Sequence, residues 1–139
     1  MRSADAFVDD LRERSALGLL RGVIAAGEDL LGEAQRRAPL DEGTLRASAA
    51  LAIIVNGRRL EGEGAASAAR DVVLAEVRAG RGLEIQAEVS FNTIYAARQH
   101  EETDWVHPRG GQAKYLESVL AERGTRYAKA IQASALRAL

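Results

Sequence analysis

Between Leu83 and Phe91 apolar and polar residues alternate without a break, with Leu83, Ile85, Ala87, Val89 and Phe91 set against Glu84, Gln86, Glu88 and Ser90. A period of two sends the two sets to opposite faces, so the pattern predicts a strand in a sheet covered on one face only. Ala49 to Val55, rich in Ile and Val, predicts another strand, and the Asn56-Gly57 step after it is a tight-turn signal. Asp71 to Arg78, with Val72, Val73 and Val77, reads as a further strand closed by a short turn at Ala79 to Gly82. The intervening stretch 58–70 has no period and is dominated by small residues, so it reads as a flexible loop.

Towards both ends of the chain the spacing changes to that of a helix. Ser3 and Asp5 are candidate caps for a first helix whose apolar residues Phe7, Leu11, Leu20, Val23, Ile24, Leu30, Leu31 and Ala34 recur as one buried stripe would require. Pro39 ends it, and Asp41 is placed to cap a short helix with Thr44 to Ser48 as its body. Another short helix is predicted over Tyr95 to Glu101. Gln112 to Leu139 gives a second long helix with Leu116, Val119, Leu120, Tyr127, Ile131 and Ala135 in register. The predicted fold is one α+β domain over residues 1–139: a long N-terminal helix, an antiparallel sheet of about three strands, a short helix and a long C-terminal helix.

The first helix carries Gly18, Gly22, Gly27 and Gly32. Each costs about 1 kcal/mol relative to Ala in a helix interior, so the helix needs packing to hold it, and the spacing lets another backbone approach closely. With its Leu19-Leu20 and Leu30-Leu31 flanks it offers more apolar surface than a small sheet needs from one helix. Part of that surface is expected to meet another subunit.

Composition narrows the classes. A chain of 139 residues suffices for one core, and the absence of cysteine excludes a disulfide framework and a thiolate metal site. Nineteen basic against twenty acidic residues argue against a strongly basic nucleic-acid binder. No apolar run approaches the roughly 18 residues a bilayer span requires, and Met1 to Arg14 carries acids where a signal peptide would have its apolar centre.

Candidate chemistry concentrates in Tyr95 to Leu120, which holds both histidines, the one tryptophan and the His107-Pro108 step. A zincin needs two histidines four apart on one helix face, whereas His100-Glu101 is followed by His107, seven residues on. A loop site gathering His100, Glu101, Asp104 and His107 is the enzymatic alternative: a small metal-dependent enzyme or hydrolase. No nucleophile elbow, phosphate loop or dinucleotide fingerprint is present. The bland reading is a shaped corner, with His100 at the end of a short helix, Trp105 as an anchor, Pro108 holding His107 extended, and Gly110-Gly111 as a hinge before the last helix. No cofactor is implied.

Two segments carry a resemblance. "RRAPLDEGTLRASA", with Pro39, Asp41, Gly43, Leu45 and Arg46, and "YAARQHEETDWVHPRGGQAKYLESVL", with Tyr95, Ala96, His100, Glu101, Gly110, Tyr115 and Leu116, resemble the tail-completion or head-tail joining proteins of tailed bacteriophages, often labelled minor capsid or minor tail components. The resemblance implies a structural virion protein rather than an enzyme. It would be assembled in the host cytoplasm, sit at the head-tail junction, and form a homo-oligomeric, hexameric ring in the neck. Its partners would be other neck and tail proteins, namely a stopper or adaptor and a tail terminator or tube, with DNA passing through without sequence-specific binding and no membrane involved. The contact residues expected on this reading are Tyr95, His100, Glu101, Trp105, His107, Pro108 and Tyr115. Small residues over Glu61 to Ala69 depart from the family pattern.

Overall fold

Ser3 opens the first helix as a true N-cap, its hydroxyl oxygen accepting a hydrogen bond from the Ala6 amide at 3.1 Å, with Asp5 in the first turn where a carboxylate complements the helix dipole. The computed structural model describes residues 3–37, 49–91 and 112–139, without the side chains of residues 91 and 112–115. Helix α1 spans Ala4–Arg37 and is about 50 Å long at the standard rise. Strand β1 (Ala49–Val55) and strand β2 (Arg58–Glu61) follow, then helix α2 (Ala65–Arg78), strand β3 (Ile85–Phe91) and helix α3 (Gln112–Arg137). The expected α+β class, with a long helix at each end, a three-stranded antiparallel sheet and a short helix, is the observed one.

β1 is the central strand, antiparallel to β2 on one side and β3 on the other. The β1–β2 hairpin turns on Asn56 (φ 48°) and Gly57 (φ 82°), the two successive positive φ angles that suit the right-handed twist of paired strands. Asn56 also fastens this turn to the start of β3. Its amide donates to the Glu84 carbonyl (2.9 Å), its side-chain oxygen accepts from the Glu84 amide (2.7 Å), and its side-chain nitrogen donates to the Gly82 carbonyl (2.9 Å).

The alternation in β3 is realised: Ile85, Ala87 and Val89 are half-buried while Glu84, Gln86 and Glu88 are exposed. In register with them, Leu51, Ile53, Val55 and Leu60 complete the covered face. On the other face Arg59 bridges β2 to β3, bonding Glu61 at 2.6 Å and Glu88 at 3.0 Å, the two residues that flank Ala52 across the central strand.

Two expectations are corrected. Asp71 to Arg78 is not a strand but the second half of α2, and 58–70 is not an irregular loop but β2, a turn and the first half of the same helix. Ala65, Ala69, Val72, Val73 and Val77 share one helix face, with Ala69 and Val73 fully buried. The helix ends on Gly80 (φ 75°): the Gly80 amide bonds the Val77 carbonyl and the Arg81 amide the Glu76 carbonyl, which satisfies the last turn. The third strand of the sheet is therefore β2, not 71–78. The short helices expected at Thr44 to Ser48 and Tyr95 to Glu101, and the stop at Pro39, lie outside the described residues.

α1 is buried on two sides rather than along one stripe. Ala16 and Leu20 join Ile53, Val55, Ala69 and Val73 in the core under the sheet and α2. The opposite side meets α3, and Phe7, expected in the buried stripe, is 55% exposed. The glycines receive parts of the same chain. A Cβ on Gly18 would stand 2.6 Å from the Ala138 Cβ, one on Gly22 2.8 Å from the Ile131 Cα, and one on Gly27 2.8 Å from the Leu51 Cδ1. The close approach expected at these glycines is made by α3 and the sheet of the same chain.

Candidate functional site

Tyr95, His100, Glu101, Trp105, His107 and Pro108 lie outside the described residues, and Tyr115 stands in the first turn of α3 with its side chain undescribed. Among the described residues no group of three or more His, Asp or Glu side chains is placed to hold a metal ion. None of the described helices is long and apolar enough to cross a membrane.

The surface most developed among the described residues is the seam between α1 and α3. The two helices run antiparallel, and small residues dominate where their backbones touch: Gly18 and Gly22 against Ile131, Ser134, Ala135 and Ala138. The Ser134 hydroxyl donates to the Gly18 carbonyl at 2.7 Å. Farther along, the contact becomes polar. Asp29 accepts hydrogen bonds from the Tyr127 hydroxyl and from Arg123 (2.8 Å), Arg123 also meets Glu33 at 3.3 Å, and Arg37 holds Glu122 at 2.6 Å and Ser118 at 2.8 Å.

These partners set the protonation states. The Tyr127 hydroxyl, then the Arg123 guanidinium, hold the Asp29 carboxyl below its ordinary range. Arg37 does the same for Glu122, and Arg36, seconded by Arg123, for Glu33. Burial first, and the bond to Asp29 second, push the Tyr127 phenol up to about 12. The seam is an arrangement for fixing two helices, with every carboxylate already paired to a cation.

Beside this seam lies an open groove of about 460 Å³. Gly22, Ala25, Ala26 and Ala130 make its floor, and Arg21, Arg126 and Arg137 stand around it. Unlike Arg37 and Arg123, these three arginines form no ion pair among the described residues. α3 carries no acid from Arg123 onward, and the one carboxylate that lines the groove, Asp29, is already held by Arg123 and Tyr127, so the groove keeps an excess of positive charge over its apolar floor. No signal in the sequence pointed here, because the floor is assembled from two helices about a hundred residues apart and the arginines count as unpaired only once their neighbours' partners are known.

A second exposed feature is the start of α1. α3 meets α1 at Gly18 through Ser134, Ala135 and Ala138, close to the end of α3 at Arg137, and nearer the start of α1 Phe7 and Val8 are 55% and 42% exposed. Leu136 and Leu139, at the end of the chain, are exposed as well. Comparison with protein-family models, with curated proteins and with solved structures returns no match to this chain.

Proposed function

We propose that this chain is a structural assembly subunit, forming the ring that joins head to tail in the neck of a tailed bacteriophage, and not an enzyme. The observation that carries the proposal is the start of α1, where the adjacent apolar residues Phe7 and Val8 stand exposed. Together with Ala4 and Leu11 on the same helix edge they form an apolar strip that another chain can cover. The two resembling segments, Arg36 to Ala49 and Tyr95 to Leu120, supply the specific setting. In it the subunit forms a sixfold ring between neck and tail proteins, with DNA passing through the channel. The polar corner around Trp105 is then a contact with a neighbour, not a reaction centre.

The test is made on particles. A tagged copy of the chain is expressed during phage assembly, particles are purified, and the neck is imaged by cryo-electron microscopy beside counting of subunits by mass spectrometry. The expected result is a ring at the head-tail junction, and loss of infectivity for Trp105→Ala with an unchanged melting temperature. Particles that never contain the protein, or contain it elsewhere, would sink the proposal. So would one Zn, Mn or Fe per purified chain that disappears together with an activity in His100→Gln.

A further inference from the structure

We infer that the first turns of α1 from one copy of this chain seat in the arginine-rimmed groove between α1 and α3 of the next copy, so that subunits join head to tail. The donor is Ala4 to Leu11. Ala4, Phe7, Val8 and Leu11 recur at the three-and-four spacing by which a helix lays an apolar edge into a groove. Phe7 and Val8, the two middle members of that edge, are uncovered. The segment carries Asp5, Asp9 and Asp10 and no cation. Asp5 forms no ion pair among the described residues, and Asp9 reaches Arg12 only at 3.8 Å.

The acceptor has the complementary character. Its floor of Ala25, Ala26 and Ala130 presents no bulky side chain, leaving room for Phe7 and Val8, and Arg21, Arg126 and Arg137 outnumber the one carboxylate of its lining, Asp29, which Arg123 already pairs. Donor and acceptor cannot meet within one molecule. Val8 and Ala25 lie on the same unbroken helix, about 25 Å apart at its standard rise, and a continuous helix does not fold back on itself. The occupant must therefore be a second copy. Because the two surfaces differ, each subunit keeps one free donor and one free acceptor after pairing, which is the heterologous contact that closes into a ring when the rotation per subunit fits.

This rests on the assembly reading above, but its test needs no particle. The chain has no cysteine, so Val8→Cys and Ala130→Cys, made in separate full-length chains, report on the contact by forming a disulfide between them. Mixed under mild oxidation, they should give a covalent dimer at several times the yield of Val8→Cys mixed with Ser67→Cys, a control on the exposed face of α2. Adding Arg126→Glu and Arg137→Glu to the acceptor should return the yield to the control level, and Asp5→Arg with Asp9→Arg in the donor should restore it. Raising the salt from 50 to 500 mM should weaken the wild-type pairing, since exposed charges are screened over shorter distances. A yield equal to the Ser67→Cys control at low salt overturns the inference, as does a dimer that the charge reversals leave unchanged. Specific crosslinking by a protein absent from phage necks would retain this contact and remove the neck assignment, so the two failures are told apart.

Discussion

The Ser134 hydroxyl reaches across from α3 to the Gly18 carbonyl of α1 at 2.7 Å, at a point where a Cβ on Gly18 would lie 2.6 Å from the Ser134 carbonyl oxygen. The bond and the missing side chain depend on each other, because the hydroxyl reaches a helix carbonyl only when no Cβ keeps the backbones apart. The same holds one turn on, where a Cβ on Gly22 would meet the Ile131 Cα at 2.8 Å. Gly22→Ala should therefore destabilise the fold although Ala is the better helix former. Overpacking of about 1–3 kcal/mol outweighs a propensity gain of about 1 kcal/mol. Gly32→Ala makes the opposite prediction, since only the flexible end of Arg36 lies near, at 3.6 Å, and it should stabilise by up to about 1 kcal/mol. Urea unfolding of both variants checks the pair, and two changes of the same sign would refute the tight-seam account.

Asn56 combines a left-handed backbone with three hydrogen bonds to the segment that starts β3. Asn56→Ala should cost about 2 kcal/mol or more, because it sets a Cβ residue without a helpful side chain at positive φ, at about 1–2 kcal/mol, and removes bonds worth about 1 kcal/mol each. Asn56→Gly relieves the first loss only and should cost less. The ordering Asn, Gly, Ala in denaturant midpoint is the measurement. An Ala variant as stable as the Gly one would show that the backbone angle contributes nothing.

What could be read in advance follows from how local each signal is. The β3 alternation and the Asn56-Gly57 turn are complete within a few residues, and both hold in the structure. α2 failed as a reading because its apolar face is split between kinds: Ala65 and Ala69 in the first half look featureless, and Val72, Val73 and Val77 in the second half look like a strand. Only the joined window shows the helical spacing, confirmed by Gly80 at the helix end. β2 has a single apolar residue, Leu60, and exists through its pairing with Ile53 and its neighbours. Glycines at Gly18 and Gly22 announced a close approach correctly, but not that the approaching backbone belongs to α3 of the same chain. The Arg21–Arg126–Arg137 groove was illegible for the same reason, since it depends on which helices meet.

Asp29 serves Arg123 and Tyr127 at once, so the three should behave as a unit. Tyr127→Phe alone should cost about 1 kcal/mol, the net worth of one hydrogen bond. Asp29→Ala should cost more, because it leaves the Tyr127 hydroxyl without its acceptor and Arg123 with Glu33 alone. In the Asp29→Ala background the Tyr127→Phe change should become nearly silent, giving a coupling energy of at least about 0.5 kcal/mol in a double-mutant cycle. Strict additivity would mean that the hydroxyl contributes through packing instead.

Stability should fall at both ends of the pH scale through the same seam. Asp29, Glu33 and Glu122 titrate below their ordinary values of 3.8 for Asp and 4.5 for Glu because Tyr127 and Arg123, Arg36, and Arg37 favour their charged forms. A lowered folded-state value means that the stabilisation is present above those ordinary values and drains away as the pH falls through the folded ones. Tyr127 has the opposite sign. Its phenol is raised from 10.0 to about 12, so its contribution is intact below 10 and is lost as the pH rises towards 12. Glu122 is 61% exposed, which makes the acid-side effect modest and sensitive to salt. Melting temperature followed from pH 7 down to 3 at low and at high salt should show a decline that is shallower at high salt. Asp29→Asn should flatten the acid limb, and Tyr127→Phe should remove the alkaline loss between 10 and 12 and also reduce the share of the acid limb due to Asp29, leaving that of Glu33 and Glu122. If Tyr127→Phe changes neither limb, the phenol is not the group whose ionisation loosens the seam at high pH.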